Sequence, residues 1–336
     1  MFRRRLPPSG RFGNEPEVQG TALFAKVFQA HTRALEEPWR RVSMSGIRTL
    51  LSVISDDQTG QAPLATALLI ARTMGCHVEG FHVLIDAASA VPYVGEAMAG
   101  ALIEEMVEAA EKDARERADR ARAMFLGVCQ AHKIPLDVTP PGDCTLNAAW
   151  HEAQGPEPEQ VALRGRVADL LVLGQPGPRG APPSLLTLNA ALLESGRPVI
   201  VAPPQPPSSV GQRVAIAWNG SAEAARAVLG AMPFLVRADA VTLLIAADGD
   251  GQDNAPIRAA ELERHLAWHG VDATTRFLEA ASGGRTGEAL LDACADAEAD
   301  LLVMGAYTHS RLRQLILGGV TRHVLERATL PVLMSH

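Results

Sequence analysis

The sequence predicts an α/β protein made of two copies of one doubly wound unit, each a parallel sheet with helices on both faces. Three observations carry this. From Met44 onward, short runs rich in Val, Leu and Ile alternate with longer helical patterns, which is how buried parallel strands with crossover helices read. The heptapeptide Ala168–Gly174, ADLLVLG, returns as Ala299–Gly305, ADLLVMG, and each copy is followed by a proline that opens a last apolar strand, Pro198 and Pro331. Between the copies stands APPQPPSSVG, whose prolines can continue neither a helix nor a central strand.

Taken in chain order, residues 1–43 differ from the rest. Arg and Pro lead, a short helical pattern follows, and the segment reads as an extension, disordered or loosely docked. The first unit, 44–208, offers the strands IRTLLSVI, HVEGFHVLI, PLDVT, ADLLVLG and RPVIVAP. The second, 209–336, offers QRVAIAW, DAVTLLIA, DATTRFLEA, ADLLVMG and LPVLMSH. In the first unit a long helix carries Leu102, Ile103, Met106, Val107 and Ala110 on one side and a dense mixture of charges elsewhere. Those charges can pair at i to i+4 and read as a solvated face.

Composition excludes several classes of partner. A net charge of −7 argues against non-specific nucleic-acid binding, which needs clustered cations. No apolar run approaches the ~20 residues that cross a bilayer. The basic start lacks the apolar stretch of a secretory signal. Cys76, Cys129, Cys144 and Cys294 are scattered without metal-ligand spacing and read as reduced, mostly buried thiols of a cytoplasmic protein.

The chemistry is expected where the fourth strand of the second unit ends. Gly305 closes that strand, and Gly318 and Gly319 precede a helical stripe of Val320, Val324, Leu325 and Ala328. In an open parallel sheet ligands collect beyond the carboxyl ends of the strands, and a helix start offers free N–H groups and a positive dipole end to an anion. No Walker lysine follows, and three glycines of a dinucleotide turn are not present at the first strand. The plain structural alternative is that these glycines serve close packing and a sharp helix start.

Gly305, HSRLRQLILGG, VTRHVLERA and LPVLMSH resemble the signature end of the universal stress protein family, and VAIAWNGSAEAARAV resembles its first strand and helix. Residues 211–336 match this pattern, and 44–204 match as a second, degenerate copy. The resemblance implies an adenine-nucleotide-hydrolase-like Rossmann fold in tandem, a five-stranded sheet in each unit, and last strands that meet to form an internal pseudo-dimer. A further homodimer, an unknown protein partner and a bacterial stress-response role are implied with it.

For ligand, the resemblance implies ATP or another adenine nucleotide, held in the second unit. Members that bind ATP carry Gly, two residues, Gly, nine residues, then Gly before Ser or Thr. Here Thr308 stands at the second glycine and Gly319 at the hydroxyl position, while Thr321 keeps a later hydroxyl. Positions implied around a nucleotide are Ala217, Trp218, Asn219, Gly220 and Ser221 at the first strand's end and Met304 and Gly305 at the fourth's. Thr308, His309 and Arg311 follow in the loop, and Gly318, Gly319, Val320 and Thr321 at the helix start. Asn219 replaces an expected Asp but still hydrogen-bonds. Trp218 reads as a packed strand-end aromatic rather than a stacking platform.

In the first unit prolines crowd the corresponding loop, so no nucleotide is expected there. No metal site and no catalytic constellation stands out. His309 and Ser310 are adjacent in a loop, and His151, His265 and His269 lie isolated on helical patterns. The readings are a stress protein with altered nucleotide binding, a nucleotide-free interaction protein and, least favoured, an ATP-hydrolysing enzyme.

Overall fold

The computed structural model describes residues 46–56, 58–84, 100–137, 139, 145–177, 183–246, 255–278, 285–306 and 318–336. The extension over 1–43, Cys144, Thr308, His309 and Arg311 lie outside these residues. The first half of the chain supplies β1 (Thr49–Val53), β2 (His77–Leu84), β3 (Asn147–Gln154), β4 (Leu170–Gly174) and β5 (Val199–Ala202). The second supplies β6 (Arg213–Ala217), β7 (Ala240–Ala246), β8 (Ala273–Leu278), β9 (Leu301–Gly305) and β10 (Val332–Ser335). Helices α1 (Gln61–Met74), α2 (Gly100–Ala131), α3 (Glu157–Gly165) and α4 (Leu185–Glu194) connect the first set. Helices α5 (Ala222–Leu235), α6 (Ala255–Ala267), α7 (Thr286–Asp296) and α8 (Gly319–Arg327) connect the second.

All strands join one ten-stranded sheet in the order β3-β2-β1-β4-β5-β10-β9-β6-β7-β8. Each half is parallel and repeats the same strand order. The halves meet where β5 and β10 run antiparallel, with Val332 opposite Val201 and Met334 opposite Val199. Short apolar strands of this kind are buried on both faces, and the two faces carry separate apolar layers. Leu50, Phe125, Phe234, Leu266 and Leu333 belong to the layer under α1, α2, α5 and α6. Val161, Leu188, Leu290, Val324 and Met334 belong to the layer under α3, α4, α7 and α8.

The repeated ADLLV motif has a structural cause at its second residue. Asp169 accepts hydrogen bonds from the backbone N–H of Arg48 (2.8 Å) and Thr49 (3.0 Å) and from the Thr49 hydroxyl. Asp300 accepts from the N–H of Gly211 (3.0 Å), Gln212 (3.1 Å) and Arg213 (2.9 Å). Each carboxylate thus gathers the donors at the start of the neighbouring first strand, where the sheet ladder does not yet serve them. The motif is a clamp at the end of the sheet remote from the expected site.

Three expectations are corrected. PLDVT forms no strand: Leu136 makes a single parallel bridge to Ala148, and the third strand is Asn147–Gln154. That strand lies at an edge of the sheet and contains no Val or Ile, so its apolar density is too low to mark it. Consequently His151 sits on an exposed strand position, its ring stacked on Phe81 at 5.8 Å, and not on a helix. The buried stripe of α2 runs through Ala114, Ala118, Ala121, Phe125 and Cys129, later than expected, while Met106 is exposed. Gly80 explains the shift: a Cβ there would stand 2.6 Å from the Phe125 ring, so the sheet is hollowed to receive this part of the helix.

Candidate functional site

The order of the second half reverses between β6 and β9, since the chain winds outward to β7 and β8 and then returns to β9 and β10. At such a switch point the flanking helices lie on opposite faces and leave a crevice at the carboxyl ends of the strands. A cavity of about 220 Å³ opens there. Leu244, Ala246, Leu278, Leu290 and Met304 give it apolar walls. Ala217, Trp218, Asn219 and Thr286 line it too, and so do Gly305, Gly318, Gly319, Val320 and Thr321.

The glycines divide into two kinds. A Cβ on Gly305 would lie 2.6 Å from the Ala224 nitrogen and 2.8 Å from the Glu223 carbonyl carbon, so this glycine lets the first turn of α5 seat against the end of β9. Packing therefore accounts for Gly305. Gly318 and Gly319 have no described atom within 4 Å of an added Cβ, and Gly318 has an ordinary φ of −59°. Neither backbone strain nor packing against the described residues requires glycine at these two positions.

Helix α8 begins with no side-chain cap. Its first intrahelical bond is donated by the Arg322 N–H to the Gly318 carbonyl at 2.9 Å, which leaves the N–H groups of Gly319, Val320 and Thr321 without helical acceptors. Thr321 is buried in the first turn. The counterpart helix α4 is closed by its own sequence: the Ser184 hydroxyl accepts from the Thr187 N–H at 3.1 Å. Beside Gly174 an added Cβ would lie 3.4 Å from Pro183 and 3.6 Å from the Thr59 carbonyl oxygen.

The β6 end is held by a pair of local bonds. The Asn219 Oδ1 accepts from the Ser221 N–H at 3.0 Å, and the Ser221 hydroxyl accepts from the Ala224 N–H at 3.1 Å, capping α5. Gly220 between them has φ +76°, a conformation that side chains resist. Ser221 is thereby a cap and not a cavity residue. Asn219 lines the cavity beside this turn. Trp218 packs on Ile245, Ala255 and Ala259, the strand-end packing the sequence favoured, and it also lines the cavity.

Arg322 and His323, on the same helix, face away from the cavity. Arg322 pairs with Glu326 at 2.8 Å on an exposed helix face, and His323 packs against Gly287 of α7. His265 and His269 touch each other edge to face at 5.1 Å. Among the described residues no group of three or more His, Cys, Asp or Glu side chains could hold a metal ion.

Sequence reasoning missed Leu244, Ala246, Leu278, Thr286 and Leu290, because a strand-end residue shows its type but not the face it turns to the crevice. It also missed a polar cluster in the first half. Buried His82 bonds through Nδ1 to the Ile54 carbonyl at 2.7 Å, and burial holds its pKa below the usual imidazole value. Glu157 accepts from the Ser55 hydroxyl at 2.7 Å, and burial pushes its carboxyl up, partly offset by that bond.

The fold and crevice define an open α/β protein with a cavity at the switch point of its second half. Residues 211–336 match the model of the universal stress protein family. A universal stress protein of Synechocystis is 44% identical over 50 residues, which span 15% of this chain and 17% of that relative's length. A universal stress protein structure from Archaeoglobus fulgidus aligns over 85% of this chain and 97% of its own, with 18% identity and a TM-score of 0.55. A Pseudomonas aeruginosa protein described as functionally unknown aligns over 86% of this chain and 92% of its own, with 13% identity and a TM-score of 0.50. The likeness of fold therefore extends across both halves. No helix among the described residues is long and apolar enough to cross a membrane.

Proposed function

We propose that this chain is a tandem universal stress protein that binds an adenine nucleotide in its second unit, 209–336, and acts in a stress response through binding. The first unit, 44–208, is then a degenerate copy that supplies the other half of the sheet, with 1–43 an extension, in a cytoplasmic bacterial protein. The observation that carries the reading is the pairing of an uncapped helix start at Gly318–Thr321 with an apolar crevice at the switch point. Three N–H groups and a dipole end suit a phosphate. Leu244, Leu278, Leu290 and Met304 suit the flat apolar faces of a base.

Calorimetric titration of the full chain with ATP, ADP and AMP, together with mass analysis of small molecules that co-purify, tests this. Binding of any of the three, weakened when Gly319 is replaced by Leu, supports it. Silence with all three and no retained nucleotide would sink it and leave a role in protein interaction.

A further inference from the structure

We propose that His265 and His269, one turn apart at the carboxyl end of α6, form a binding site for a divalent transition cation of the zinc type. Helix α6 leads from the end of β7 to the start of β8, so the pair stands at the end of the sheet remote from the cavity. The site is independent of the nucleotide reading.

The backbone fixes the pair. Leu262 and Leu266 anchor the inner side of α6 in the apolar layer, while His265 and His269 are exposed. The helix then closes at once: the Gly270 N–H donates to the Ala267 carbonyl at 3.0 Å and the Val271 N–H to the Leu266 carbonyl at 3.1 Å, with Gly270 at φ +72°. This is a Schellman closure, and its apolar residues Leu266 and Val271 are both buried. His269 is thus held as the last residue of the helix, and no loop has to be ordered for the two imidazoles to act together.

The spacing suits a tetrahedral ion. The two ring centres are 5.1 Å apart. A metal–nitrogen bond of about 2.05 Å, with the nitrogen about 1.15 Å from its ring centre, puts an ion about 3.2 Å from each centre, and the tetrahedral angle then sets the centres about 5.2 Å apart. A square-planar angle would bring them to about 4.5 Å. In the free protein the rings meet edge to face, with 68° between their planes. Turning an imidazole about its Cβ–Cγ bond spins it about a line through its own centre, so a ring nitrogen swings to the shared point while the separation is kept. The carboxyl end of the helix adds partial negative charge that favours a cation. Arg264, the cation of the same turn, shares the adjoining face with Trp268. Among the described residues no third ligand stands by, so water fills the remaining positions and leaves the ion open and exchangeable.

Calorimetric titration of the full chain, free of any affinity tag, with zinc chloride tests this. His265→Gln and His269→Gln should each weaken zinc binding about 10²-fold, because either change removes the chelate. The double variant should be little worse than either single one, and His132→Gln, at an exposed histidine of another helix end, should leave the affinity unchanged. Trp268 reports the place, since it is 85% exposed and directly precedes His269. Cupric ion, which two imidazoles hold more tightly than zinc, should quench the share of the emission that Trp268→Phe removes, in the parent chain and not in His265→Gln. Both histidines are exposed, so the variants should fold as the parent does, which circular dichroism checks. Zinc held equally by the parent and both single variants, a loss in only one of the two, or no uptake by the parent would each overturn the site. All three results leave the nucleotide reading where it stands.

Discussion

Alanine at Gly305 separates the two roles a glycine can have at the end of a strand. The new methyl would stand 2.6 Å from the Ala224 nitrogen, 2.8 Å from the Glu223 carbonyl carbon and 2.9 Å from the Glu223 Cβ. Ordinary contact begins near 3.4 Å, so the first turn of α5 must retreat by most of an ångström from β9. That turn is fixed by the Ser221 cap and by the Ala225 N–H to Ser221 carbonyl bond of 3.0 Å, and backbone atoms cannot swing aside as a side chain can. Overpacking of this type costs roughly 1–3 kcal/mol, and we place Gly305→Ala at about 2–3 kcal/mol. For a chain of 336 residues, whose unfolding entropy is about 2.1 cal/mol/K per residue, that lowers Tm by roughly 3–4 °C. Urea unfolding followed by circular dichroism should show a lower midpoint with an unchanged slope. Gly319→Ala, which meets open space at the first position of α8, is the control and should match or exceed the parent by up to about 1 kcal/mol. A Gly305→Ala protein as stable as the parent would refute the packing account.

The remaining expectations concern the clamp, the buried imidazole and the thiols. Asp300→Asn retains shape but loses the charge that serves three backbone donors, and should cost about 1.5–3 kcal/mol by urea unfolding; a loss under 0.5 kcal/mol would show the clamp is dispensable. His82 stays neutral in the fold below its unfolded pKa of 6.5, so the unfolded chain takes up a proton that the folded one refuses. Its contribution is complete above pH 6.5 and is lost as pH falls below that value, by at most about 1.4 kcal/mol per pH unit. The raised carboxyl of Glu157 acts oppositely, so its cost is relieved as pH falls through its folded pKa. His82→Gln should flatten the acid limb of stability measured against pH; an unchanged slope would exclude the imidazole as its source. Burial pushes the Cys76 and Cys294 thiols up to about 12 and Cys129 to about 11, so none of the three should react with an aromatic disulfide at pH 8 until the protein is unfolded.

Much of this was legible in the chain itself. Strand and helix order followed from apolar runs and their periods, because a parallel sheet buried on both faces needs continuous Val, Leu and Ile. Repetition of the ADLLV motif marked the two halves, and Gly305, Gly318, Gly319 and Thr321 stood where a crevice was expected. The third strand escaped because an edge strand such as Asn147–Gln154 is half solvated and need not be apolar.

What the sequence by itself determined is the winding: which segments are strands, the edge strand Asn147–Gln154 excepted, their order, and hence the end of the sheet at which a ligand would collect. Only the tertiary structure decided the purpose of individual residues. Gly305 belongs to the seat of α5, Ser221 to its cap, and Asp300 to a clamp at the opposite end of the sheet, while Gly318 and Gly319 meet no described side chain and open a helix whose first N–H groups have no helical acceptor. The physical reason is that periodicity is a local property of the chain. Whether a glycine is crowded, or a donor unpaired, depends on atoms brought from far along it.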